Sequence, residues 1–275
     1  MLPPDPDVVT RPPPSPAVEL ERYEVKYLIH PSMVPAIREF IAPFCVPDLH
    51  ADPETAEYVV TTLQLDSPDM ALYRAKEEEA LNRFKLRVRT YGLTGESPVF
   101  LEIKRKINDV ISKTRIPLSP EDWGEEVCLD PSWPGPADPD QAGNYLEFLR
   151  LVRELGARPK VLIRYLRESY LGANELYFRL TIDRCLTYRL HRTWDLLPSD
   201  GRWWRMDSAL AMRRPFSGVI LELKSFCDIP MWMIDMIQRF DLVRIGFCKY
   251  YTAVRLESVF GGSGFPIAGE PELFV

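Results

Sequence analysis

The stretch RFKLRVRTYG, residues 83–92, decides how the fold is read. Side chains alternate between the two faces of a strand, so Lys85, Arg87 and Arg89 share one face and Phe84, Leu86 and Val88 share the other. The apolar face asks for a core. Three cations in a row ask for something negative, either carboxylates of the protein or a polyanionic ligand.

The same alternation runs through the other β-rich segments. ERYEVKYLI (residues 21–29) puts Glu24 and Lys26 on one face, and SPVFLEIKRKI (97–107) does so with Glu102, Lys104 and Lys106. KVLIRYLRESYLG (160–172) aligns Tyr165 with Arg167. LYFRLTIDRCLTYRL (176–190) aligns Arg179, Thr181 and Asp183, and GVILELKSF (218–226) aligns Glu222 with Lys224. With EYVVTTLQLD (57–66) and DVISKTRIPLS (109–119), the runs make about eight strands. Most connections are too short for parallel crossovers. Helical patterns are confined to PSMVPAIREFIAPF, MALYRAKEEEALN, YLEFLRLVRELG and MWMIDMIQRF. The acidic, turn-rich stretch at residues 121–143 reads as a surface excursion. The expected class is α+β, mainly antiparallel β. An antiparallel sheet of this length closes to manage its edges, which gives an eight-stranded closed tunnel barrel with peripheral helices.

Two readings of the charged faces stay open at this point. They are either solvated outer faces laced with cross-strand ion pairs, each contributing about 0.2–1 kcal/mol, or the lining of a cationic interior. A cationic interior needs an anion, because an unpaired buried charge costs several kcal/mol. A run of Arg and Lys suits a linear phosphate chain, since Arg offers planar bidentate donors and Lys compact point charges. Glu24, Glu102 and Glu222 are then the candidate ligands for a divalent metal ion, Mn²⁺ or Mg²⁺, bridging phosphate oxygens. No glycine-rich phosphate loop is present, so side chains must hold the phosphates.

Composition limits the alternatives. The 275 residues are 46% apolar, enough for a substantial core, and the net charge is −6. With a pI near 5.3 and no aromatic residues interleaved with the cations, a nucleic-acid partner is not expected. Cysteines at 45, 128, 185, 227 and 248 show no CxxC spacing and read as reduced thiols of a cytoplasmic protein. No run approaches the roughly 18 apolar residues of a membrane span. Residues 1–18 hold seven prolines and read as a disordered arm; residues 19–260 form the domain, and 261–275 a tail.

Taken together and in order, RYEVKYLI, LDSPDMALYRAKEEEALNRFKLRVRTYG, FLEIKRK, VLIRYLRESY, RLTID, VILELKSF and CKYYTAV resemble the VTC domain. That domain is the polyphosphate polymerase branch of the triphosphate tunnel (CYTH-like) superfamily. The resemblance implies a transferase that moves the γ-phosphoryl of ATP onto a growing inorganic polyphosphate chain. Lys26, Arg87, Arg89, Lys104, Arg167 and Lys249 then hold the reacting phosphates, and Glu222 is the foremost metal ligand. Lys85, Lys106, Lys113, Tyr165, Arg179 and Lys224 contact substrate. Hydrolysis of a triphosphate at the same site and non-catalytic polyphosphate binding are the alternatives, and a membrane-bound partner protein is compatible with all three. Two departures stand out. The superfamily's hydrolases open with ExExK, whereas Arg22 occupies the first position here, which favours the VTC branch. Cys248 stands where the polymerase branch often has serine.

Overall fold

Every alternating run identified above becomes a strand. In the computed structural model, which describes residues 23–108, 110–173, 178–225 and 229–260, the long strands are β1 (Tyr23–Ile29), β3 (Glu57–Asp66), β4 (Asn82–Tyr91), β5 (Val99–Ile107), β6 (Val110–Leu118), β7 (Arg158–Gly172), β8 (Phe178–Leu190) and β10 (Val219–Ser225). Three short strands add to them: β2 (Cys45–Pro47), β9 (Trp204–Arg205) and β11 (Arg244–Ile245). The arm, Arg22, Cys227 and the tail lie outside the described residues. Among the described residues no helix is long and apolar enough to cross a membrane.

All eleven strands belong to one antiparallel sheet in the order β11-β1-β10-β8-β7-β3-β4-β5-β6, with β2 added to β7 and β9 to β8. The sheet curls strongly. Lys104 on β5 reaches Glu24 on β1, although the two strands are six steps apart in the order, and only the concave side of a curl permits that contact. The expected eight-stranded closed barrel is nevertheless not what forms. β11 already occupies the edge of β1 that closure requires, through Lys26↔Ile245 and Tyr27↔Arg244. The other edge of the sheet belongs to β6, and Lys104 and Glu24 meet across the interior, where two extended side chains hold β5 and β1 well beyond the roughly 4.8 Å of a hydrogen-bonded pair.

Helices decide which face of the curl is which. α1 (Val34–Ile41) and α6 (Met231–Arg239) cover the outside of β1, β10 and β8, where Ile37, Ile41, Met233 and Met236 join Ile29, Leu180, Leu221 and Leu223. α2 (Ala71–Glu77) follows β3, and Asp66 fastens its start by accepting from the backbone N–H of Leu72 and Tyr73, both at 2.9 Å. α3 (Glu126–Leu129) and α4 (Ala142–Glu154) cover β4 to β6, packing Val127, Phe148 and Val152 against Leu86, Leu101, Ile103 and Ile116. The acidic stretch at 121–143 is therefore more than a surface excursion. Its carboxylates are mostly exposed, but Val127 and Cys128 are buried and Trp123 and Trp133 pack on the core.

After the single turn α5 (Ala209–Met212), the last helix, α7 (Lys249–Phe260), lies on the inside of the curl. Tyr250, Ala253 and Leu256 pack there against Val60, Tyr165, Leu186, Tyr188 and Ile220. The apolar faces thus turn outward to the helices or onto α7, and the charged faces turn inward.

Phe148 has no exposed surface and anchors α4 to the sheet. Phe148→Ala should cost about 3–5 kcal/mol, seen as a lower denaturant midpoint at unchanged slope. A loss below about 1 kcal/mol would mean that α4 does not hold this face.

Candidate functional site

Antiparallel register sets the charges against each other before any tertiary contact forms. On β1 and β10, Glu24 lies opposite Lys224 and Lys26 opposite Glu222. Lys26 Nζ is 2.5 Å from Glu24 Oε1 and 3.6 Å from Glu222 Oε2, while Lys224 Nζ is 2.7 Å from Glu222 Oε1 and 3.9 Å from Glu24 Oε2. Lys104 joins from across the curl at 3.0 Å from Glu24 Oε2. Burial by itself pushes the Glu222 carboxyl up, but Lys224, Lys26, Arg167 and Lys249 hold it well below the usual carboxylate range. Burial and Glu222 likewise push Glu24 up and are overcome by Lys104, Lys26 and Lys224. Lys104 moves the other way: burial, with Lys26 and Lys224 acting in the same sense, pushes its ammonium down to about 8.

A second group forms on Asp183, which has no exposed surface. Arg167 lies opposite it in the β7–β8 register and donates through Nε at 2.6 Å and Nη2 at 2.8 Å, a bidentate fork. Lys249, the first residue of α7, donates to Oδ2 at 2.6 Å. Tyr165 sits beneath both cations, with Lys249 Nζ 4.5 Å and the Arg167 guanidinium 5.3 Å from its ring centre.

Glu102 centres the third group and is also fully buried. Arg87 Nε lies 2.5 Å away, Lys113 Nζ 2.5 Å, Arg115 Nε 3.4 Å and Arg89 Nε 3.8 Å. Burial pushes the Glu102 carboxyl up, yet Arg87, Arg89 and Lys113 hold it far below its ordinary value. Burial, reinforced by Arg87 and Arg89, pushes the Lys113 ammonium down to about 7 even with Glu102 beside it.

The structure therefore brings Lys26, Arg87, Arg89, Lys104, Tyr165, Arg167 and Lys224 to the inner face, as their parity predicts; Lys113 and Lys249, named through the resemblance alone, lie there too, Lys249 on a helix. Lys85 is there too, opposite Lys104 in the β4–β5 register, and it donates to Cys248 Sγ. Lys106 lies one pair further along, opposite Arg83. Arg179 is set apart, because Asp48 takes its guanidinium and accepts from Ser169 Oγ as well. Two members had no assigned role in the sequence reading. Asp183 was placed on the charged face with Arg179 and Thr181 but not named as a site residue, and Arg115 was missed although it shares parity with Lys113. Arg115 also stacks 3.6 Å over Phe100 and donates to Tyr91 Oη at 2.8 Å.

Of the three candidate metal ligands, Glu24 and Glu222 come together and Glu102 does not, since four cations surround it. No cluster of three or more His, Cys, Asp or Glu side chains suited to a metal occurs among the described residues. Two adjacent carboxylates do fit a hard divalent ion that takes its other ligands from phosphate and water.

The family model described as the VTC domain matches residues 21–257. No curated protein sequence matches the chain. Among solved structures, a candidate adenylyl cyclase from Hippeastrum, described as having a dominant triphosphatase activity, shares 15% identity at a TM-score of 0.47, covering 90% of this chain and 97% of its own. The PH1819 protein of Pyrococcus horikoshii shares 11% at 0.43, covering 86% and 99%. The Mimivirus capping enzyme triphosphatase shares 13% at 0.31, covering 80% and 87%.

Glu102→Gln keeps the shape of the side chain and removes the charge that four cations share. The variant should lose about 3–5 kcal/mol of stability at low salt, read by denaturant unfolding. Tripolyphosphate should raise its melting temperature more than it raises that of the parent protein, because an anion then replaces the missing carboxylate. Equal stability of the two proteins would show that Glu102 does not hold the interior together.

Proposed function

We propose that this chain, which belongs to the VTC domain family, is a metal-dependent polyphosphate polymerase that transfers the γ-phosphoryl of ATP to a growing inorganic polyphosphate chain. One observation carries the reading: the inner face holds far more cations than carboxylates. Lys26, Lys104 and Lys224 surround Glu24 and Glu222; Arg167 and Lys249 share Asp183; Arg87, Arg89, Lys113 and Arg115 share Glu102. Nine cations against four carboxylates leave a surplus that a linear polyanion satisfies and a lone carboxylate ligand does not.

Phosphoryl transfer needs positioning and charge neutralisation more than a covalent nucleophile. The terminal oxygen of the acceptor phosphate bonds to the γ-phosphorus as the bond from that phosphorus to the β–γ bridging oxygen breaks, and ADP leaves. Arg167, held by Asp183 and supported from below by Tyr165, presents a fixed fork to an equatorial oxygen. Lys249, Arg87 and Arg89 hold neighbouring phosphates in line, and Lys26 and Lys104 neutralise the charge gathering on the leaving group. Glu24 and Glu222 would hold a divalent ion, which would supply further charge neutralisation.

Purified protein incubated with ATP and Mn²⁺ or Mg²⁺ should make long polyphosphate, visible on a gel. Orthophosphate alone would identify a hydrolase, and no turnover with any divalent ion would leave a binding module. Glu222→Gln should abolish turnover while metal-free tripolyphosphate binding persists or tightens, since it removes a negative charge from a positive site. Arg87→Ala should weaken that binding by about 1.5–3 kcal/mol.

The depressed Lys113 gives the pH dependence its sign. A bound polyanion favours the ammonium form and raises its pKa from about 7, so binding near neutral pH takes up protons. Calorimetry in two buffers of different ionisation enthalpy measures this uptake, and affinity should fall as pH rises above 7. Proton release on binding would contradict the assignment of Lys113 to the phosphate lining.

A further inference from the structure

Cys248 Sγ and Lys85 Nζ lie 2.9 Å apart, hydrogen-bonded across 163 positions of sequence. Lys85 comes from β4, and Cys248 is the residue before α7. Cys248 is half-buried as a residue and borders a cleft of about 430 Å³ together with Leu28, Phe247, Tyr251 and Arg255. Burial pushes the thiol's pKa up, but Lys85, the backbone of Tyr251 and Lys26 together outweigh burial and bring it below the ordinary cysteine value. Other thiols differ: burial pushes up both Cys128 and Cys185. A thiolate in reach of solvent is the form that peroxides oxidise.

We propose that Cys248 and Lys85 form an oxidant-made covalent cross-link, a sulfenamide, that withdraws Lys85 from the charged interior. In the first step the Cys248 thiolate attacks a hydroperoxide. One oxygen is transferred to sulfur, giving the sulfenic acid, and with hydrogen peroxide the leaving hydroxide takes a proton from the Lys85 ammonium and departs as water. In the second step the freed amine attacks the sulfur, the S–N bond forms, and the sulfenic oxygen leaves as water. Sulfur is oxidised by two electrons, the peroxide is reduced by two, and thiolate, ammonium and peroxide become sulfenamide and two waters. Sulfenic acids condense with backbone nitrogen in the same manner, and here an amine already stands at hydrogen-bond distance. A small thiol reverses the link by attacking sulfur and releasing the amine.

This inference stands apart from the reaction performed by the interior, so its test reads mass rather than turnover. The full chain is treated with hydrogen peroxide, and intact mass and a peptide map are recorded before and after dithiothreitol. The expected result is loss of two hydrogens, with the Lys85 peptide joined to the Cys248 peptide and separated again by the reductant. In Lys85→Gln the two-hydrogen loss and the joined peptide should both be absent. The proposal is overturned if Cys248 of the parent protein gains oxygens without the link, if the lost hydrogens map to a disulfide, or if Cys248 stays reduced while the other cysteines oxidise.

Discussion

The enclosure of buried Glu102, Asp183 and Glu222 and half-buried Glu24 among cations on the concave face is the interaction on which the rest of the structure depends. Each is worth little as an isolated surface pair and a great deal as a partner, because removing one leaves several cations uncompensated in a low-dielectric interior. The arrangement is possible only because α1, α6, α3 and α4 take the apolar faces of the strands on the outside. Had the helices packed on the other face, the same alternation would have put Leu86 and Leu101 in the middle and the charges in water. Helix placement and interior charge are two consequences of one pattern.

The contacts across the concave side follow from the same chemistry. Lys104 of β5 bonds Glu24 of β1 across the interior, and Lys85 of β4 meets Cys248 just ahead of α7. α7 seals the rest of the concave side. It contributes apolar residues to one cluster and its first residue, Lys249, to another. Tyr165 joins the two, since its ring packs in the apolar cluster and carries Lys249 and Arg167 on its face. An interior bridged by side chains can exchange partners, because each ion pair can pass from a protein carboxylate to a phosphate oxygen without breaking a strand.

Not all buried charge belongs to this interior. On the opposite face of β7, Glu168 receives both Nε and Nη2 of Arg38 and the hydroxyl of Tyr170. Arg184 and Glu57 complete that network. It ties α1 to the outside of β3, β7 and β8 and balances its own charges. The contrast separates a structural ion network, in which two cations meet two carboxylates, from a lining whose cations exceed its carboxylates.

The sequence by itself determined the strands, their antiparallel class and the membership of each charged face, because period-two alternation is a local property of the chain. Lys85, Arg87 and Arg89 could be placed on one face from RFKLRVRTYG alone, the same rule aligned Asp183 with Arg179 and Thr181, and it would have found Arg115 had it been applied to the strand at 110–118. What parity cannot say is which face lies inside; only the packing of α3 and α4 on Leu86, Leu101 and Ile103 decided that. Nor could it tell that Glu102 is spent on four cations while Glu24 and Glu222 stand together, or that Arg179 belongs to Asp48, because those partners come from strands and loops distant in sequence. Closure was likewise beyond the sequence. β11 is two residues long, too short to show periodicity, yet it takes the edge of β1 that a closed barrel needs, and Lys104 and Glu24 meet across the interior without joining the edge strands.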